Sequence, residues 1–147
     1  MAADGPVLLC YDGSPFARAA IAEADRQLAP GRRALVVTVW QPLESIPFYG
    51  APLAPVGPDV DQGLTAEAEE TAREGLELAR EAGFDAEAAI ERGAPTWRSI
   101  VEVADDRDAS LIVIGSHGRH GIEYALMGSV ATAVAHHSKR PVLIVRE

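Results

Sequence analysis

One cysteine, Cys10, is all the thiol that this chain of 147 residues carries. A single thiol builds neither a disulfide framework nor a metal quartet. Cys10 also lies inside an apolar run, which points to a core position where the thiol is too buried to react. Lysine is as scarce. Lys139 is the only one, and the pattern G-x4-G-K-S/T is absent, so hydrolysis with the usual phosphate-loop lysine is excluded. Basic residues do not gather beyond Arg32-Arg33 and Lys139-Arg140, and the formal net charge is −9. A nucleic-acid binder that works by phosphate neutralisation needs a basic face, so nucleic acid is set aside as a main partner. No GxSxG is present, and Ser14, Ser116 and Ser129 have no evident Ser-His-Asp partnership. The first residues lack the basic-then-apolar layout of a secretion signal, and no apolar run approaches a membrane span. The expectation is a soluble, cytoplasmic chain with no membrane partner.

What is present reads as one α/β domain. At 48% hydrophobic and 24% charged residues the composition is ordinary for a globular chain, and its length is enough for a real core. Pro6 to Tyr11 is a short apolar run closed by Asp12-Gly13-Ser14, a first strand. Ser14 is placed to cap the following helix, with Pro15 in its first turn. Ala17, Ala20, Ile21, Ala24 and Leu28 recur at helical spacing, and Pro30-Gly31 ends the helix. Ala34 to Trp40 is a second strand. Gln41 to Gly63 holds five prolines and three glycines and is expected to be a long functional or mobile loop. Thr65 is expected to open a long helix with Ala68, Ala72, Leu76 and Ala79 on one face. The acids between Glu67 and Glu91 read as a solvated face. Phe84 to Ile90 is a third strand. Pro95-Thr96 starts a helix with Trp97, Ile100, Val101 and Ala104 inward. Leu111 to Ile114 is the fourth strand, Val130 to Lys139 a short helix, and Val142 to Val145 the fifth strand.

Strands alternate with helices throughout, and the second, fourth and fifth are continuous apolar runs. That pattern predicts a parallel sheet covered on both faces, doubly wound by right-handed crossovers. Such folds take ligands outside the carboxyl ends of the strands, where the strand order reverses. Asp12 and Gly115 both fall at such ends. Asp12 could accept from a ribose hydroxyl or hold a metal ion's water; it could also be an ordinary turn aspartate before a helix.

The most informative pattern is Gly115-Ser116-His117-Gly118, nine further residues, then Gly128-Ser129. It leaves an apolar strand and ends at a helix start, where backbone amides and a hydroxyl can face phosphates. Gly115 and Gly118 are expected to allow close backbone approach and positive φ. Arg119 would offset phosphate charge. The competing reading is that Gly115 turns the chain, Gly121 relaxes a loop, and Gly128 ends a short helix over Ile122 to Met127. His117 and His120 do not make a convincing metal pair, and His136-His137 suits a helix C-terminus.

Asp12, this glycine pattern, and Pro141-Val142-Leu143-Ile144-Val145 together resemble the universal stress protein family, most closely over Leu111 to Val145. The resemblance covers essentially the whole chain. It implies a five-stranded parallel sheet in the order 3-2-1-4-5. It also implies membership of the ATP-binding branch, acting as a nucleotide-dependent regulatory protein of the stress response. By that resemblance Gly115, Gly118, Gly128 and Ser129 would wrap the ribose and phosphates, with Val130 near the phosphates. Asp12 would contact the adenosine part, and Cys10, Val39 and Ile114 would line the adenine pocket. A divalent ion, Mg2+ or Mn2+, would bridge the phosphates. Ser110 stands where an aspartate is common, and His120 and Tyr124 lie in the variable spacer. Some relatives with similar loops prefer cyclic AMP. A slow ATPase or self-phosphorylating protein, with Ser129 or Ser116 the nearest hydroxyls, and a nucleotide-independent interaction module are the alternatives. The fifth strand is short, apolar and last, an edge that invites pairing. In relatives it pairs antiparallel with its copy, which implies an isologous homodimer through Val142 to Val145. A protein partner is expected but not identified.

Overall fold

The computed structural model describes residues 4–42, 58–118 and 127–146. Five strands alternate with four helices: β1 (Val7–Cys10), α1 (Pro15–Gln27), β2 (Arg33–Trp40), α2 (Pro58–Glu81), β3 (Asp85–Arg92), α3 (Thr96–Asp106), β4 (Leu111–Gly115), α4 (Ser129–His137) and β5 (Val142–Val145). The sheet order is β3-β2-β1-β4-β5, and every pairing is parallel. This is the doubly wound sheet that the alternation and the resemblance imply.

Successive side chains of a strand point to opposite faces, and here that alternation builds two cores. Val7, Leu9, Tyr11, Val36 and Val113 pack against Ala17, Ala20, Ile21 and Ala24 of α1 and Ala79 of α2. Leu8, Cys10, Leu35, Val37, Ile112 and Ile114 pack against Ile100, Val103 and Ala104 of α3 and Ala131 and Val134 of α4. β1 lies in the middle and is buried on both faces. Its Leu8 and Leu9 each contribute about 1.5–3 kcal/mol by leaving water. The strand order reverses between β1 and β4, so the two strands that end in Asp12 and in the glycine pattern are neighbours.

α2 begins at Pro58, seven positions before the expected start at Thr65. The physical reason is that a proline at the first helical position gives up an N–H that has no partner there. Proline density therefore marks a loop only up to that point. The rest of the expected loop, residues 43–57, lies outside the described residues. On α3 the buried stripe is Ile100, Val103 and Ala104, while Trp97 and Val101, expected inward, are half-buried. Trp97 packs against the edge of the core face covered by α3 and α4 and stacks on His137 of α4, with ring centroids 4.2 Å apart and planes 15° apart. α4 starts and ends slightly before the expected Val130 to Lys139.

Candidate functional site

The turn after β1 is locally determined. Asp12 Oδ1 accepts the Ser14 N–H at 2.9 Å. Ser14 Oγ accepts the Ala17 N–H at 3.1 Å and caps α1. Gly13 between them has φ +83°, a conformation that a side chain resists. Asp12 therefore has a turn-forming role whatever else it binds.

Three glycines of the pattern following β4 meet three different neighbours. A Cβ on Gly115 would stand 2.9 Å from the backbone of Phe16, so α1 lies directly on this residue. A Cβ on Gly128 would stand 2.8 Å from the Ser116 carbonyl oxygen, to which the Gly128 N–H donates at 2.6 Å. Chain packing alone demands glycine at both positions. Gly118 differs: it is exposed, and the atom its Cβ would approach, at 2.8 Å, is Asp12 Oδ2. The loop of β4 thus lies against the carboxylate at the end of β1. Among the described glycines, positive φ occurs at Gly13, Gly31 and Gly83 and not at Gly115 or Gly118. The expectation of positive φ at these two is corrected. What they supply is absence of bulk.

Ser116 ties this corner together. It is 2% exposed. Its N–H donates to the Val145 carbonyl at 2.8 Å, and its Oγ lies 3.0 Å from His117 Nδ1. The His117 ring leans on Phe16, centroids 5.1 Å apart. The hydrogen-bonding part that Ser116 plays carries no sequence signal beyond its place inside the glycine pattern.

α4 starts at Ser129 with Gly128 as its N-cap, and no side chain caps it. Its first turn faces the same corner as Gly128 and Ser116. The positive end of the helix dipole and any unsatisfied amides favour an anion there.

The apolar candidates gather on one side. Cys10, Val39, Ile114 and Val130 belong to the core face covered by α3 and α4, and Met127 and Trp97 join them. Trp97 is expected inward on its helix, whereas Met127 carries no expectation as a member of this group; the signal for Met127 is its position beside Gly128. Burial, and next the Asp12 carboxylate, push the Cys10 thiol up to about 12. It is an inert wall and not a nucleophile. Arg119, His120, Gly121 and Tyr124, and the competing short helix up to Leu126, lie outside the described residues. Among the described residues, no three His, Cys, Asp or Glu side chains group to hold a metal ion. No helix among them is long and apolar enough to cross a membrane. A depression of about 380 Å3 exists at the opposite end of the sheet, lined by Asp4, Pro6, Arg33, Leu35, Glu87 and Arg107. None of the candidate residues lines it, and with Asp85 and Asp108 also in its wall its carboxylates outnumber its two arginines, Arg33 and Arg107.

The family model for the "Universal stress protein family" matches residues 5–146. A universal stress protein of Mycolicibacterium smegmatis is 34% identical over 96% of this chain, which spans only 45% of that relative's length. Universal stress protein A homolog 2 of Coxiella burnetii is 31% identical over 95% of this chain and 93% of its own. Among solved structures, a universal stress protein in complex with cAMP is 28% identical, with TM-score 0.66, and the match covers 97% of this chain and 96% of that one. The universal stress protein of Archaeoglobus fulgidus in complex with dAMP is 26% identical, with TM-score 0.63, covering 95% and 96%.

Proposed function

The chain belongs to the universal stress protein family, and from the geometry at the ends of β1 and β4 we propose that it binds an adenine nucleotide, with ATP the leading ligand, as a nucleotide-dependent regulatory protein. The observation that carries this reading is the apposition of Gly118 and Asp12. Packing explains glycine at 115 and 128, but at exposed position 118 the atom among the described residues that stands where a Cβ would go belongs to the Asp12 carboxylate. A residue kept small in front of a carboxylate, beside a helix start with no side-chain cap, suits a ribose and phosphates better than it suits folding. Two relatives of this fold carry cAMP and dAMP.

In this reading Asp12 accepts from a ribose hydroxyl, and Gly115, Gly118, Gly128 and Ser129 border the ribose and phosphates. Val130 lies near the phosphates, Arg119 offsets their charge, and Cys10, Val39 and Ile114 face the adenine. A divalent ion, Mg2+ or Mn2+, would come with the nucleotide and offset its phosphate charge. Occupancy would alter the surface that a protein partner meets. The edge position of β5, with Val142, Leu143 and Ile144 only half-buried, supports an antiparallel pairing of two copies.

The test is the content of freshly purified protein, denatured and separated by nucleotide chromatography with mass detection. Expected is ATP or ADP at near one per chain, and a rise in melting temperature with Mg-ATP; saturation at a hundred times Kd adds about 2.7 kcal/mol. Cyclic AMP in its place would keep the site and change the ligand. An empty protein with no melting shift would refute nucleotide binding and leave an interaction module.

A further inference from the structure

The turn that carries Asp12 is backed by one face of α2. Thr71, Glu74 and Gly75 stand at i, i+3 and i+4 on that helix, so they share a face. The Thr71 methyl lies 3.7 Å from the point where Gly13 would carry a Cβ. A Cβ on Gly75 would stand 2.6 Å from the Tyr11 ring and 2.9 Å from Val36 Cγ1. The helix backbone thus rests on Tyr11, the residue before Asp12.

Tyr11 is held from every side. Its hydroxyl donates to Glu74 Oε1 at 2.5 Å and accepts from Arg18 Nε of α1 at 3.3 Å. Arg18 closes the triangle by an ion pair with Glu74. On the sheet side the Tyr11 N–H donates to the Val37 carbonyl at 2.9 Å, and its carbonyl accepts from Thr38 Oγ1 at 3.0 Å. The ring is buried, 2% exposed, while the Arg18 and Glu74 side chains are 54% and 40% exposed. A phenylalanine would fill the same apolar space without the cost of burying a hydroxyl. What the hydroxyl adds is direction: it locks the residue that follows β1 against two helices, one peptide unit before the carboxylate.

We propose that Tyr11 is a positioning residue for Asp12, acting through its hydroxyl's triangle with Glu74 and Arg18, so that α2 sets how the Asp12 carboxylate meets the nucleotide. The inference rests on the nucleotide reading above and deepens it.

The experiment is a double-mutant cycle read by calorimetric titration with Mg-ATP, using wild type, Tyr11→Phe, Asp12→Asn and the double variant. Tyr11→Phe is expected to weaken binding about threefold to tenfold, and the same change in the Asp12→Asn background to cost less than about twofold, because residues acting as one unit are not additive. Glu74→Ala breaks the same hydrogen bond from the exposed side without touching the core and carries the same expectation, which covers the case of a Tyr11 variant that fails to fold. Glu74→Gln keeps an acceptor for the hydroxyl and is expected to bind close to wild type. Unchanged affinity in both Tyr11→Phe and Glu74→Ala overturns the proposal. So does an equal loss in both Asp12 backgrounds, which would make the triangle a fold support alone. A wild type that takes up no nucleotide is a separate result, which removes the nucleotide reading and the positioning role with it.

Discussion

Adding one methyl group to α2 is expected to have opposite effects at two of its glycines. A Cβ on Gly63 would meet nothing within 4 Å among the described residues, whereas the Cβ of an alanine at 75 would stand 2.6 and 2.8 Å from Tyr11 ring carbons and 2.9 Å from Val36 Cγ1. Both are helical positions, so both substitutions gain the same local term, about 0.5–1 kcal/mol from replacing the most flexible residue by the best helix former. Gly63→Ala keeps that gain. Gly75→Ala must also displace a buried ring that is pinned by Glu74 and Arg18, and a core valine. Overpacking of this kind costs about 1–3 kcal/mol. Because the helix term cancels between the two variants, their difference isolates the packing cost. Urea unfolding at neutral pH should place the Gly63→Ala midpoint above wild type and the Gly75→Ala midpoint below Gly63→Ala by about 1–3 kcal/mol. In melting temperature that is about 2–4 °C per kcal/mol for a chain of this size. Coincident midpoints, or a Gly75→Ala variant more stable than Gly63→Ala, would refute the close contact between α2 and Tyr11.

Three further outcomes follow from the same geometry. Gly118→Ala places its Cβ 2.8 Å from Asp12 Oδ2, and is expected to weaken Mg-ATP binding about tenfold in titration while the urea midpoint stays near wild type. The Tyr11–Glu74 pair makes stability depend on pH at both extremes. Its hydrogen bond to Tyr11, with help from Arg18 and against a partial burial effect, holds Glu74 below its usual 4.5, so its share is present above that value and lost as pH falls through the lower folded one. Burial, then the bond to Glu74, raises Tyr11 from 10.0 to about 12, so its share is present below pH 10 and lost as pH rises towards 12. The stability gap between wild type and Tyr11→Phe should be widest between those limits and shrink beyond each; a gap constant with pH would contradict it. Cys10, pushed up to about 12, should not react with a thiol reagent at pH 8 until the chain is unfolded, and prompt reaction in the native state would show that the α3/α4 face opens there.

The sheet was the most legible part of the chain. Leu8 to Cys10, Val36 to Val37 and Ile112 to Ile114 are apolar at consecutive positions because both sides of those strands meet helices, and a strand with one face in water would alternate instead. The order of the strands came from family resemblance and not from the runs themselves. α2 was read too short because proline signals loop and helix start alike, and Pro58 is the second kind. Val103 escaped the α3 stripe because Trp97 and Val101 satisfy the same spacing; that Trp97 also stacks on His137 depends on a neighbour remote in sequence. At the site, Gly115, Gly118 and Gly128 were legible by spacing, but their reasons were not. Phe16 above Gly115 and Asp12 before Gly118 are contacts across more than ninety residues of chain. For the same reason the Glu74–Tyr11–Arg18 triangle left no mark in the sequence.

The odd-and-even division of β1 between two cores restricts how such a chain can drift over generations. Loss of one residue within Val7–Cys10 would exchange the occupants of the two faces. The tyrosine ring would then point at α3 and α4, away from Glu74 and Arg18, and the next carboxylate would leave the turn that Ser14 closes. Variation inside this strand must therefore come by replacing side chains, one size for a similar size, while gains and losses of length are admitted only in the connections between elements.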